Sequence, residues 1–579
     1  MKKLISFLGL LMLILTSTIF TSCEKEPVIP DVPGEPIEFK GFKSDSGIIV
    51  NDEQIQIVGS GLEKDANEFI YYDLKDYVGK TIEIDFSCKM KTSSSTGVNL
   101  MWQILDKEND YPIIAMSNVS NNWTELSGSR KFIVEEGFLF YLSTYQLDFS
   151  NLNIDIKDLM FNITVPKPKN PEDEWMKVPS LKEAYEDIFD SFGIACEYGW
   201  DDGVELYYDN VQKGLAKHAD SITLGNELKP QFMFKGNIKS GGLVDFSASN
   251  GLTIKVPAKI DGLDRLDKIL TILKNNNLKM RGHVLTWHSQ TPDEFFAKDY
   301  SAKYNGDLIS NLVSKQEMTA RHEWYIKTIL DFVNEWEAKN GYGEGNHIIW
   351  SWDVVNEAVA DDDSTGTNYL RGATSGTKNK KPDNGGSRWY QIYGNDEFII
   401  NAFRFANAYA PADVSLAYND YNEYMDYDGG RKKTGILNLI KRIKNGDAKT
   451  VNGKSVKPRI DVMGMQSHVG DDWITLDSYE TSVTDYLAAG VDVHITEFDV
   501  KKYSQEDATK IYSDYFNMLK KYGKKYSGEN KVINVTVWGI NNENSWINKD
   551  GSTYPLLFSK ENNEYYANDS FYAVIDAVN

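Results

Sequence analysis

The chain is long, at 579 residues, yet holds only three cysteines, Cys23, Cys88 and Cys196. So few thiols exclude a disulfide framework and argue against metal clusters, so Cys88 and Cys196 read as small buried apolar side chains. Positive charge is also scarce. Lys and Arg number 62 against 85 Asp and Glu, a net charge of −23. That balance repels nucleic acid and anionic membrane surfaces and leaves a neutral polymer as an acceptable partner. No membrane span is offered at the N-terminus either, where the apolar run Leu4–Phe20 falls short of the roughly 20 residues a span needs.

What that run does have is the layout of a secretory signal, with Lys2-Lys3 before it and Thr21-Ser22-Cys23 after it. The segment resembles a bacterial lipoprotein signal, which implies cleavage before Cys23, diacylation of that residue and an exported protein anchored to the outer membrane or cell surface. An ordinary signal peptide with an incidental cysteine is the competing reading. Residues 1–23 are therefore set apart from the fold, and the Pro- and acid-rich 24–36 reads as an extended tether.

Two textures follow. From 37 to 165, short alternating runs such as Thr81-Ile82-Glu83-Ile84-Asp85-Phe86 and Phe138-Leu139-Phe140-Tyr141-Leu142 predict an all-β sandwich. A Pro-rich linker is expected over 166–179. From 180 to 579, apolar strand candidates alternate with amphipathic helical periods. The strands are expected at 192–196, 221–226, 280–285, 348–357, 414–421, 462–468, 492–499 and 534–540. Eight such units predict a (β/α)8 TIM barrel, with a doubly wound sheet as runner-up.

In a barrel the active site lies at the C-terminal strand ends. The predicted ends carry His283, Asn356-Glu357, Asn419-Asp420, His468, Glu497 and Trp538, a crowded polar and aromatic set. Two glutamates delivered by separate strands suit the paired carboxylates that cleave a glycosidic bond.

The segments Arg281-Gly-His-Val-Leu-Thr-Trp-His-Ser-Gln290, Trp352-Asp-Val-Val-Asn-Glu357, Gly464-Met-Gln-Ser-His468, Ile495-Thr-Glu-Phe-Asp499 and Val535-Thr-Val-Trp-Gly539 resemble glycoside hydrolase family 10. The resemblance implies a retaining endo-β-1,4-xylanase acting on xylan and xylo-oligosaccharides as a monomer, with no cofactor and no metal. It implies Glu357 as general acid/base, Glu497 as nucleophile and Asn356 as the ligand of the sugar 2-hydroxyl. His468 is then expected to hydrogen-bond the nucleophile, oriented by Asp499. An N-cap after the seventh strand is the plain alternative for Asp499. Asn226, Lys229, His283, Trp287 and Gln290 match glycone-side contacts, while Trp538 and Trp546 match tryptophans of the first two glycone subsites. For Trp287 a core position is the alternative.

One position departs from the pattern. The family carries an acidic residue where this chain has Gly225, a carboxylate that helps hold the distal sugar. Glu227 is expected to point to the opposite face of a strand, which makes it a doubtful substitute. The polar segment from Asp361 to Arg388 is expected to border the leaving-group side of the cleft, as a specificity loop or a surface insertion. Asp361-Asp362-Asp363 within it reads as an acidic solvated turn rather than a calcium site.

The 37–165 region resembles jelly-roll carbohydrate-binding modules. Trp123 is expected in its core, and Trp102, Tyr141 and Tyr145 are candidates for a groove. Two rivals to the enzyme reading stand: a non-catalytic surface glycan-binding lipoprotein, and the same chemistry on a β-glucan or aryl-cellobioside.

Overall fold

The computed structural model describes residues 41–578 except 45–47, 51–53, 59–69, 79, 106–111, 136, 144–151, 166–173, 199–204, 236–237, 240, 307, 362–368, 374–385, 426–430, 472, 550 and 562–563. Cys23, the signal-like run and the tether lie outside the described residues, as does Tyr145. The chain divides into two compact units, Met1–Lys169 and Asn170–Asn579.

The first unit packs two five-stranded antiparallel sheets face to face. One orders Lys43–Ser44, Ile70–Asp73, Leu139–Ser143, Val98–Leu105 and Ile113–Val119; the other Ile48–Val50, Gln54–Ile57, Ile154–Thr164, Thr81–Thr92 and Thr124–Ile133. Alternation along each strand turns one row of side chains inward. Trp102 lies in that row and is fully buried, stacked on Phe140 at 5.1 Å, which stacks in turn on Phe161 at 4.7 Å. The expectation that Trp102 lines a groove is thus corrected, because its strand phase sends it into the core.

Trp123 is corrected the other way. It is 40% exposed, just before the strand Thr124–Ile133, and the Lys91 and Lys157 ammonium groups sit 4.8 and 4.6 Å from its ring centroid. Tyr141 occupies the phase opposite Trp102, in register with Tyr71 on one side and Gln103 on the other.

In the second unit eight parallel strands close on themselves. They are β1 (Ser191–Cys196), β2 (Ser221–Leu224), β3 (Lys279–Trp287), β4 (Ile349–Asn356), β5 (Ser415–Asp420), β6 (Val462–Met465), β7 (Asp492–Val500) and β8 (Val532–Val537). Each pairs with the next, β8 returns to β1 and β6 to β7, so the sheet has no edge. Strands buried on both faces need apolar residues throughout, which is why they read as runs such as Val462-Met-Gly-Met465. Amphipathic helices cover them, and Ser180, Ser314, Ser387, Thr475, Ser504 and Asn568 cap helix starts with side-chain oxygens.

The expected linker 166–179 runs too far. A helix spans Glu174–Lys177, and its Trp175 is fully buried in the barrel unit, stacked on Tyr565 at 4.6 Å. Gly214 makes room for that indole: a Cβ there would lie 1.8 Å from it.

Candidate active site

Beneath the mouth of the barrel lies a buried ionic layer. Arg281 and Asp353, both fully buried, pair at 2.5 Å. Asp353 also meets His283 Nδ1 at 2.9 Å, and Arg281 Nε approaches His494 Nδ1 at 3.2 Å. These residues lie below the strand ends and are buried, so the charges of Arg281 and Asp353 offset one another. His283 itself sits midway along β3, which continues to Trp287 rather than ending where expected.

Above this layer, Glu357 follows β4 with a left-handed φ of 52°. Such a backbone costs of order 1–3 kcal/mol for a non-glycine residue. It is held from two sides: the Glu357 amide donates to Asn419 carbonyl at 2.9 Å, and Arg371 Nε donates to the Glu357 carbonyl at 2.7 Å. The carboxylate then accepts from Asn356 at 3.0 Å, Gln466 at 2.9 Å and the Trp287 indole at 3.1 Å.

Glu497 on β7 is 5% exposed. Asn419 Nδ2 reaches it at 2.8 Å and reaches Asn356 Oδ1 at 3.0 Å. The carboxylates Glu357 and Glu497, 140 residues apart in sequence, therefore share one network of amides, Asn356, Asn419 and Gln466. Close packing permits it: a Cβ on Gly464 would fall 2.5 Å from Asn419 Oδ1.

His468 stands on the other side of Glu497. Its Nε2 lies 3.5 Å from Glu497 Oε2 and its Nδ1 2.8 Å from Asp499 Oδ1. Asp499 Oδ2 takes the Trp546 indole at 2.8 Å. Burial opposes a charge on His468, but Asp499 and Glu497 outweigh it and carry the imidazole pKa well above its usual value. Burial would likewise raise Glu497, yet the His468 hydrogen bond, the charges of His283 and His468, and Asn419 hold it below the usual carboxylate range. The site thus keeps Glu497 ionised, which a nucleophile requires. Asp499 lies inside β7 and caps nothing; the helix that follows is capped by Ser504.

A second chain of contacts leaves Glu357 through Trp287. The Lys229 ammonium sits 5.0 Å from the Trp287 ring centroid and donates to Asn226 Oδ1 at 3.0 Å; Asn226 Nδ2 donates to Glu197 at 2.8 Å. Burial pushes the Lys229 ammonium below its usual range against the pull of Glu497, Glu357, Glu197 and Glu227. Trp287 contacts the carboxylate and is no core residue. Trp538, one residue past β8, packs edge-on against His283 at 5.9 Å. Trp546 is half exposed and packs edge-on to His468 with ring centroids 5.0 Å apart, an open aromatic face at the mouth. Gln290 enters none of these bonds. Its carbonyl accepts from Gln231, and it lines a cleft of about 370 Å³ with His288, Asp293, Tyr304 and Arg388.

Glu227 is corrected: β2 stops at Leu224, so it has no strand face, and its buried carboxylate accepts from the Tyr198 and Asn226 amides. Asp361 forms an ion pair with Lys432 at 2.7 Å, while Asp362 and Asp363 lie outside the described residues. Among the described residues no cluster suits a metal ion.

The sequence reading missed Asn419 and Gln466 as site residues, although each sat in a segment already singled out. Arg371 and Glu197 carried no motif and become visible only through their neighbours in space.

The family model for glycosyl hydrolase family 10 matches residues 180–577. Endo-1,4-beta-xylanase Y of Acetivibrio thermocellus is 30% identical over 515 residues, 86% of this chain and 42% of that protein. Endo-1,4-beta-xylanase A of Thermotoga neapolitana is 30% identical over 491 residues, 81% of this chain and 38% of that protein. The chain spans about two fifths of the length of these curated relatives. The crystal structure of the CBM22-1 and GH10 modules of Clostridium thermocellum endo-1,4-beta-D-xylanase 10B, complexed with xylohexaose, has the same fold, with a TM-score of 0.55, 24% identity, and coverage of 95% of this chain and 98% of that one. With its eight-stranded parallel barrel and a family model spanning that barrel, the chain belongs to glycosyl hydrolase family 10.

Proposed function

We propose that this chain is a retaining endo-β-1,4-xylanase that hydrolyses xylan by double displacement. Glu497 attacks the anomeric carbon from the α face while Glu357 protonates the departing glycosidic oxygen. Glu357 then removes a proton from water, which displaces Glu497 and restores the β configuration. Asn356 and Asn419 orient the pair, and Asn356 is the candidate ligand of the 2-hydroxyl. His468, positioned by Asp499, steadies the charge on Glu497. Asn226, Lys229, His283, Trp287, Trp538 and Trp546 bind the glycone sugars, with Gln290 in the adjoining cleft.

The observation that carries this reading is the single amide network joining two carboxylates, one of which faces a charged imidazole. The names of the relatives support xylan as the substrate. Release of reducing sugar from xylan, and not preferentially from carboxymethylcellulose, is the expected result. Glu497→Ala should abolish it, and azide should restore turnover by adding directly to the open α face. An α-glycosyl azide is expected; a β-azide would overturn the nucleophile assignment.

The reading extends to the rest of the chain. The sandwich is read as binding the same polymer on its resemblance to carbohydrate-binding modules, with Tyr71 partly exposed on the face turned away from its core; retention on insoluble xylan tests it. Export and lipid anchoring at Cys23 rest on the signal-like sequence, and loss of acyl labelling in Cys23→Ser is the expected outcome.

A further inference from the structure

We infer that Glu197 is a specificity-determining residue of the glycone cleft, contacting the sugar one unit beyond the xylose whose bond is cut; this rests on the xylanase reading above. Glu197 follows the last residue of β1. Strands β1 and β2 are in register with Cys196 opposite Leu224, so the next pair across the ladder is Glu197 and Gly225. The Gly225 amide donates to the Cys196 carbonyl at 3.1 Å, which keeps the two backbones together at that point.

The side chain of Glu197 uses the room that glycine leaves. A Cβ on residue 225 would stand 2.9 Å from Glu197 Oε1 and 3.2 Å from its Cγ. A side chain at 225 and the carboxylate of Glu197 therefore compete for one volume. The chain keeps a carboxylate in that volume and moves its attachment to the neighbouring strand.

The group faces the substrate side. It lies at the C-terminal end of its strand, where barrel active sites are built, and remains partly exposed. It is the far end of the file that runs Glu357, Trp287, Lys229, Asn226, Glu197. Its hydrogen bond to Asn226 Nδ2 fixes which way that amide presents its oxygen, and the oxygen holds Lys229. A carboxylate and an ammonium bracketing one amide form a row of strong acceptors and donors suited to sugar hydroxyls.

The test compares Glu197→Ala with the wild type on nitrophenyl β-xyloside and nitrophenyl β-xylobioside. The expected result is a loss of about ten- to a hundredfold in kcat/KM on the xylobioside, the range of one charge-assisted hydrogen bond, with the xyloside nearly unchanged. In the double variant Glu197→Ala/Gly225→Glu the new carboxylate should recover most of the loss, since both attachments reach the same space. Equal losses on both substrates, no loss on either, or no recovery in the double variant would each overturn the assignment. A wild type that hydrolyses neither glycoside would instead bring down the xylanase reading beneath it.

Discussion

Asp499→Asn isolates the electrostatic part of the proposed mechanism, because it removes one charge while keeping nearly the same volume. In the wild type, Asp499 accepts a hydrogen bond from His468 Nδ1 with one oxygen and from the Trp546 indole with the other. An asparagine has one acceptor. If its oxygen faces His468, its NH2 group opposes the indole N–H. If it flips, its NH2 group faces Nδ1 and the imidazole is forced neutral. Either way a bond to a charged or buried group is lost, worth about 1.5–3 kcal/mol. At 1.36 kcal/mol per factor of ten, kcat/KM should fall by between roughly tenfold and a hundredfold. The pH profile distinguishes this from simple loosening. Glu497 is held below the usual carboxylate range chiefly against burial, and His468 is first among the groups that hold it there. With His468 discharged, burial wins more of that contest, Glu497 gains a proton at higher pH, and the acid limb of kcat/KM moves up. The assay is kcat/KM on an aryl xylobioside across pH, with unfolding by guanidinium as a control for integrity. An acid limb that coincides with the wild type, under a uniformly lower plateau, would refute the reasoning.

Other perturbations follow the same logic. His468 carries a raised pKa in the fold, so its contribution to stability is complete below the unfolded value near 6.5 and is lost as pH rises through the folded one; His468→Gln should therefore flatten the alkaline fall of the melting temperature. Gly464→Ala places a methyl against Asn419 and should cost about 1–3 kcal/mol of stability while lowering kcat more than it raises KM, measured by calorimetry and initial rates. Asp353→Ala leaves Arg281 buried without a counter-charge and should cost about 3–5 kcal/mol in denaturant titration. In the sandwich, Trp102→Ala should cost about 3–5 kcal/mol and Trp123→Ala almost nothing, a contrast readable in the unfolding of the two variants.

The barrel was legible because its strands are contiguous apolar runs, several of which carry a polar group of the site at or near their C-terminal end, so fold and site are written in the same few residues. Glu357, Glu497, His468 and Asp499 meet in space from three such segments, and Trp546 joins them from the loop after β8. What the sequence hid depends on neighbours it does not name. Asn419 looked like one polar strand end among several, and only the closure of the barrel brings it between two carboxylates. Glu197 is a lone acid after an apolar strand, unremarkable until Gly225 stands beside it. In the sandwich the difficulty was phase. Trp102 sits inside a strand and Trp123 just before one, and only the register of the ladder sends the first inward and leaves the second under two lysines. Glu174–Lys177 was hidden in the same way, since a helix of four residues leaves no period to detect.

The turn that holds Glu357 has a bearing on engineering. Arg371 grips the Glu357 carbonyl, the Gly372 carbonyl accepts from the Ser387 amide at 2.8 Å, Arg388 pairs with Asp293 at 2.9 Å, and the Trp389 indole reaches the Trp287 carbonyl at 3.0 Å. Gly372 and Ser387 are clasped to each other, so exchange of the sequence between them is expected to leave the Glu357 backbone in place. Doubling the length of a flexible connection between two fixed ends costs only about 0.6 kcal/mol. Under the proposed mechanism the clasped pair Gly372 and Ser387 thus offers a socket for grafted segments, into which new preferences can be introduced while Glu357 stays anchored.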